Sequence, residues 1–146
     1  MTEAVDVARG WHRVQTSRDS CVAACRAIVD ARRGGEGIER ESYPALEGEV
    51  LAPLDPASLD LLVARVAAGE VAIVTVSGPR WMDLARDRKM RSDYGDLGPG
   101  LHAIVIIAAK SGFLIVLDPY FPTKQQPLQV SRDDFATAWT GEFEFA

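Results

Sequence analysis

Two cysteines and two histidines are the groups that open the chain to chemistry beyond acid–base work by carboxylates. Cys21 follows Asp19 and Ser20, both favoured N-cap types, at the head of an alanine-rich helical stretch. A thiol in the first turn of a helix meets the positive end of the macrodipole and free backbone N–H groups. Both favour the thiolate and lower its pKa. The competing reading is a small buried hydrophobe, and Cys25, one turn further in, fits that reading better. Four residues apart on one helix, the two thiols share a face but are poorly placed to form a disulfide.

His102 opens an apolar strand directly after the glycine-rich Gly98-Pro99-Gly100, and Asp118 ends the next strand. With a turn near Ser111, the two lie at the open end of one hairpin, where a carboxylate fixes the imidazole tautomer and stabilises imidazolium. Taken singly, each also fits a plain strand end or an Asp-Pro turn. Together with Cys21 they are the parts of a thiolate–imidazolium nucleophile. Gln15, six positions ahead of Cys21, brings a side-chain amide that, with the Cys21 backbone N–H, would form an oxyanion hole. His12 has no comparable setting and is expected at the surface.

The elements that must position these groups follow from pattern and punctuation. A helix is expected over residues 20–33, ended by Gly34-Gly35, and its apolar residues on most sides place it centrally. Residues 36–54 are mixed, with a short helical piece around Arg40 to Leu46. Asp55-Pro56 begins a second helix with Leu59, Leu62, Val63 and Val66 at helical spacing, closed by Gly69. Val71 to Val76 is a buried strand. Residues 77–100 read as a long loop with one helical turn near Trp81 to Leu84. Its Trp81, Met82 and Tyr94 form either a substrate wall or surface cover. His102 to Ala109 and Phe113 to Leu117 form a hairpin across Lys110-Ser111-Gly112. Ser131 and Asp134 cap a helix through Trp139, and Glu142 to Phe145 alternates like a last short strand. The class is α+β, in one domain spanning 1–146, with residues 1–10 expected to be weakly ordered.

The segment from Gln15 to Cys25, with glutamine, five residues and then a cysteine, resembles the start of the bacteriocin-processing C39 peptidases. His102 to Ile107 resembles that family's histidine strand, and Phe113 to Pro119 its aspartate strand, including the Asp-Pro pair. The resemblance runs from about Val14 to Gly141 and includes the sixteen-residue gap from His102 to Asp118 and the helix bearing Phe135 and Trp139. It implies a papain-like cysteine peptidase fold, with N-terminal helices carrying the nucleophile at a central helix N-terminus and packed on a C-terminal antiparallel sheet. It further implies Cys21 as nucleophile, His102 as general base and then acid, Asp118 as orienter and Gln15 as oxyanion donor. The chain departs from the family pattern at Ser20, where aspartate is usual, and at Val22-Ala23, where Gly-Pro is usual. A peptide or protein substrate, such as a leader peptide, is implied. The same residues also suit a deamidase, an acyl transferase or a silent peptide-binding scaffold.

Composition narrows the setting. About half the residues are apolar (47%), a quarter are charged (25%), and the net charge is −5. Cations are interleaved with acids, as in Arg86-Asp87-Arg88-Lys89, so no basic face for nucleic acid is expected. No stretch has the length and apolarity of a membrane span. The start of the chain has no apolar run of a secretory signal, so a cytoplasmic setting with free thiols is expected. Cysteine and histidine spacing gives no zinc pattern, and no phosphate loop precedes a helix, so no metal or cofactor is expected.

Overall fold

A computed structural model describes residues 2–39, 47–50 and 56–145 of the chain. Among the described residues, six strands form one antiparallel sheet in the order β1-β6-β2-β3-β4-β5. They are β1 (Glu47–Val50), β2 (Ala72–Ser77), β3 (Leu101–Lys110), β4 (Phe113–Leu117), β5 (Leu128–Ser131) and β6 (Trp139–Phe145). The helices are α1 (Thr2–Trp11), α2 (Cys21–Arg32), α3 (Pro56–Ala67), α4 (Gly78–Asp87) and α5 (Arg132–Ala138).

Alternation along β2 and β3 divides the core into two layers, because successive side chains of a strand point to opposite faces. Val71, Ile73, Ala103 and Val105 pack with Cys25, Ile28 and Val29 of α2 and Ala8 of α1. Ala72, Val74, Val76, Ile104 and Ile106 pack on the other face with Leu62 and Val66 of α3, Trp81, Met82 and Ala85 of α4, and Phe135 of α5. The α+β class, the helix at Cys21, the helix after Pro56, the hairpin and the helix after Ser131 are where the pattern put them. The Ser131 cap is made by its hydroxyl oxygen, which accepts the Asp134 N–H at 3.1 Å. The last strand begins earlier than its alternation suggested, at Trp139, and lies inside the sheet between β1 and β2.

Thr2–Trp11 forms α1, whose Ala8 is buried against the α2 layer. Two expectations are corrected. Residues 78–87, expected as loop with a single helical turn, form the ten-residue α4. There Ser77 is the extended N-cap and Pro79 lies in the first turn, where a missing N–H costs nothing. Gly78 is required by close approach rather than by a loop. A Cβ there would stand 2.7 Å from the Gly98 carbonyl oxygen, and the Gly78 N–H bonds the Gly100 carbonyl at 2.8 Å. His12, expected at the surface, is buried with 3% of its area exposed. The helical piece expected around 40–46 lies outside the described residues.

Candidate active site

Cys21 is the first residue of α2, and Ser20 is its N-cap without a side-chain cap bond. The Ser20 hydroxyl instead turns back to Ser17, donating to its carbonyl and accepting its N–H, each at 3.1 Å. The first-turn N–H groups of α2 are therefore left to other acceptors, and the thiol is one of them. Backbone N–H groups of Val22 and Ala103 and the His102 ring lie near the sulfur and favour its thiolate. Partial burial works against the thiolate, but those donors and the His102 charge outweigh it, so the Cys21 pKa is lowered. Cys25 is wholly buried, and desolvation, followed by the nearby Cys21 and Asp118 charges, raises its pKa well above the usual value. Both thiols are free.

The β3–β4 register pairs Val105 with Leu117, so Asp118 stands one residue past the end of β4. From there its Oδ1 accepts from His102 Nε2 at 2.8 Å. Nδ1 is then the ring nitrogen left to face Cys21. His102 is almost wholly buried, which disfavours its charge. The Asp118 carboxylate, through charge and hydrogen bond, and then Cys21 overcome this and raise the imidazole pKa to about 9. The imidazole is thus hydrogen-bonded to the Asp118 carboxylate, with the Cys21 thiol close enough to influence its titration.

The sequence reading missed what holds Asp118. Its Oδ2 accepts from the Trp81 indole N–H at 2.7 Å, and Oδ1 also accepts the Tyr120 N–H at 2.9 Å. The Asp118 N–H donates to Gln126 Oε1 at 2.8 Å, and its carbonyl accepts from His12 Nε2 at 2.7 Å. The Tyr120 ring packs edge-on to His102, with centroids 5.7 Å apart. Trp81 and Met82 are buried; the Trp81 indole supports the Asp118 carboxylate, and Met82 lines a cavity with Arg86, Met90 and Asp96. Tyr94 is half-buried, and its hydroxyl donates to the Gln15 carbonyl at 2.6 Å. The apolar spacing of Trp81, Met82 and Ala85 after Gly78-Pro79 is the signal that could have revealed this support. No pattern marks His12 or Gln126, whose roles depend on the folded chain alone.

Gln15 is fixed next to this group. Its backbone N–H donates to the Pro119 carbonyl at 2.8 Å. Its amide Nε2 donates to the carbonyls of Ser17 at 2.9 Å and Arg18 at 2.8 Å, so both amide hydrogens are engaged in this state. Oε1 is buried without a partner among the described residues.

No protein-family profile matches the chain, and no curated protein matches it. Among solved structures, the peptidase domain of Streptococcus ComA, a bifunctional ABC transporter involved in quorum sensing, superimposes with a TM-score of 0.51. The identity is 14%, over 92% of this chain and 96% of that one. This is the fold of a C39 peptidase domain. A C39-like peptidase from Bacillus anthracis also matches, with a TM-score of 0.42 and 20% identity over 64% of this chain. The match covers 49% of that protein, about half its length. The C39 fold accounts for α2 and the β3–β4 hairpin meeting at one end of the sheet. Among the described residues no helix is long and apolar enough to cross a membrane.

Proposed function

We propose that the chain is a thiol hydrolase, a cysteine peptidase that cleaves a peptide bond through an acyl-enzyme. The observation that carries this reading is the line from Asp118 through His102 to Cys21, with the thiol pKa lowered and the imidazole pKa raised. Cys21 Sγ, as thiolate, attacks the substrate carbonyl carbon and forms the C–S bond. The carbonyl oxygen takes the negative charge, stabilised by the Cys21 N–H and the Gln15 amide. Gln15 releases one neutral carbonyl partner for this, because an oxyanion is the stronger acceptor. His102, as imidazolium, delivers its proton to the leaving amine, and the C–N bond breaks. Water then adds to the thioester with His102 as base, which returns the thiolate and a carboxylic acid. Asp118 keeps Nε2 protonated and Nδ1 turned to the sulfur. A peptide or protein is the substrate class, and free thiols suit a reducing, cytoplasmic setting.

One observation favours a second reading. With both Gln15 amide hydrogens engaged, the site also suits a scaffold that grips a peptide without cutting it. Alkylation by iodoacetamide followed against pH, with mass spectrometry separating Cys21 from Cys25, distinguishes the two. A peptidase site alkylates at Cys21 well below the ordinary thiol range of about 8.5 and loses this in His102→Ala. An ordinary thiol profile at Cys21 would reject the hydrolase and leave the scaffold.

A further inference from the structure

We propose that His12 is a positioning residue of the thiol site, holding Asp118 in place through its main-chain carbonyl; as a statement about catalysis this rests on the triad reading above. The need for such a residue comes from where β4 stops. Leu117 is the last residue of the strand paired to β3, through Val105, so the sheet ladder does not fix Asp118. Its N–H donates to the Gln126 side chain at 2.8 Å, and its C=O accepts from the His12 ring at 2.7 Å and, at a longer 3.4 Å, from the Phe121 N–H. Pro119 follows and has no N–H to contribute.

The His12 ring is itself fixed at both ends. A carbonyl oxygen only accepts, so Nε2 carries the proton it donates to Asp118 at 2.7 Å. Nδ1 is then unprotonated and accepts the Thr123 hydroxyl at 2.8 Å. This is the neutral tautomer, in keeping with burial that lowers the His12 pKa. Three residues on, the Gln15 N–H bonds the Pro119 carbonyl at 2.8 Å. Segment 12–15 therefore runs beside 118–119 and grips consecutive carbonyls. The Trp81 and Tyr120 donors set the rotation of the carboxylate, whereas His12 sets where its backbone stands. The contact spans 106 positions of sequence and makes the N-terminal segment part of the triad's support.

The test separates hydrogen bonding from packing with two variants. His12→Phe keeps an aromatic ring and removes the donor; His12→Gln removes the ring and keeps an amide N–H near the place of Nε2. The first readout is the His102 Nε2 proton held by Asp118, followed by proton NMR as a downfield resonance. It is expected to move upfield or vanish into exchange with water in His12→Phe, and to persist in His12→Gln. The second is Cys21 alkylation at pH 7, expected to fall roughly tenfold in His12→Phe, as when an orienting group slips by a fraction of an ångström, and to recover in His12→Gln. An unchanged resonance in folded His12→Phe, or its loss in folded His12→Gln, overturns the proposal. If His12→Phe does not fold, Thr123→Val loosens the ring instead. A shift in the same direction supports the proposal, and no shift overturns it. Should the resonance respond as expected while wild-type Cys21 alkylates as an ordinary thiol, the positioning role stands and the hydrolase reading fails.

Discussion

Cys21 and Cys25 sit on the same helix one turn apart, and their surroundings push the two thiols in opposite directions. Cys21, at the first turn, meets the N–H groups of Val22 and Ala103 and the His102 ring, and its pKa falls. Cys25 packs between Ile28, Val29, Ala103 and Val105 with no area exposed, and its pKa rises. The histidines repeat the contrast. Both are buried, yet at His102 the Asp118 carboxylate overcomes burial and pushes the pKa up, whereas at His12 burial outweighs the bond to the carbonyl and holds it down. In each pair burial works against the charged form, and only Cys21 and His102 have partners strong enough to overcome it.

The strongest way to break the comparison is to exchange the fates of the two thiols. Cys21→Ala is expected to abolish peptide hydrolysis and labelling by thiol-directed electrophiles, while Cys25→Ala keeps both. Activity surviving in Cys21→Ala would sink the nucleophile assignment. Next in size, His102→Ala is expected to lower turnover by about 10²–10⁴-fold and return Cys21 alkylation to the ordinary thiol range.

Asp118→Asn sharpens the comparison through pH. His102 holds its proton more tightly in the folded chain, to about 9 against the usual 6.5. The stability this confers is complete below pH 6.5 and drains as pH rises through about 9. The melting-temperature advantage of wild type over Asp118→Asn should follow that course; an advantage that grows with pH would contradict the assignment. The smallest effect belongs to Cys25→Ser. It is expected to cost about 1–3 kcal/mol by placing a hydroxyl in an apolar layer, measured by denaturant melts, with the Cys21 pH profile unchanged.

Sequence marked Cys21, His102 and Asp118 more readily than the groups that surround them, for a physical reason. Cys21, His102 and Asp118 each sit at an element boundary, and boundaries are written in local punctuation such as Ser20, Gly100 and Pro119. The hairpin then fixes the distance between His102 and Asp118 through a single register. Trp81, Gln126 and His12 act through contacts 37, 8 and 106 positions long; local pattern hints at Trp81 through its apolar spacing with Met82 and Ala85 and carries no record of the other two. Helix α4 was misread because Gly78-Pro79 serves both as a loop signal and as a helix start. Only the packing of Gly78 against Gly98 and Gly100 decides between them. The engagement of the Gln15 amide by Ser17 and Arg18 was likewise invisible, since it depends on how the turn before α2 folds back.

The place of β6 has a consequence for the order in which the chain can assemble. Strands β2 to β5 are sequential neighbours and can pair as each follows the last, which already brings His102 and Asp118 together. β6 enters between β1 and β2, so a ribosome-bound chain cut off before Trp139 has an open β2 edge and a β1 with nothing to join. β1 can join the sheet only after β6 has emerged, because β6 lies between it and β2.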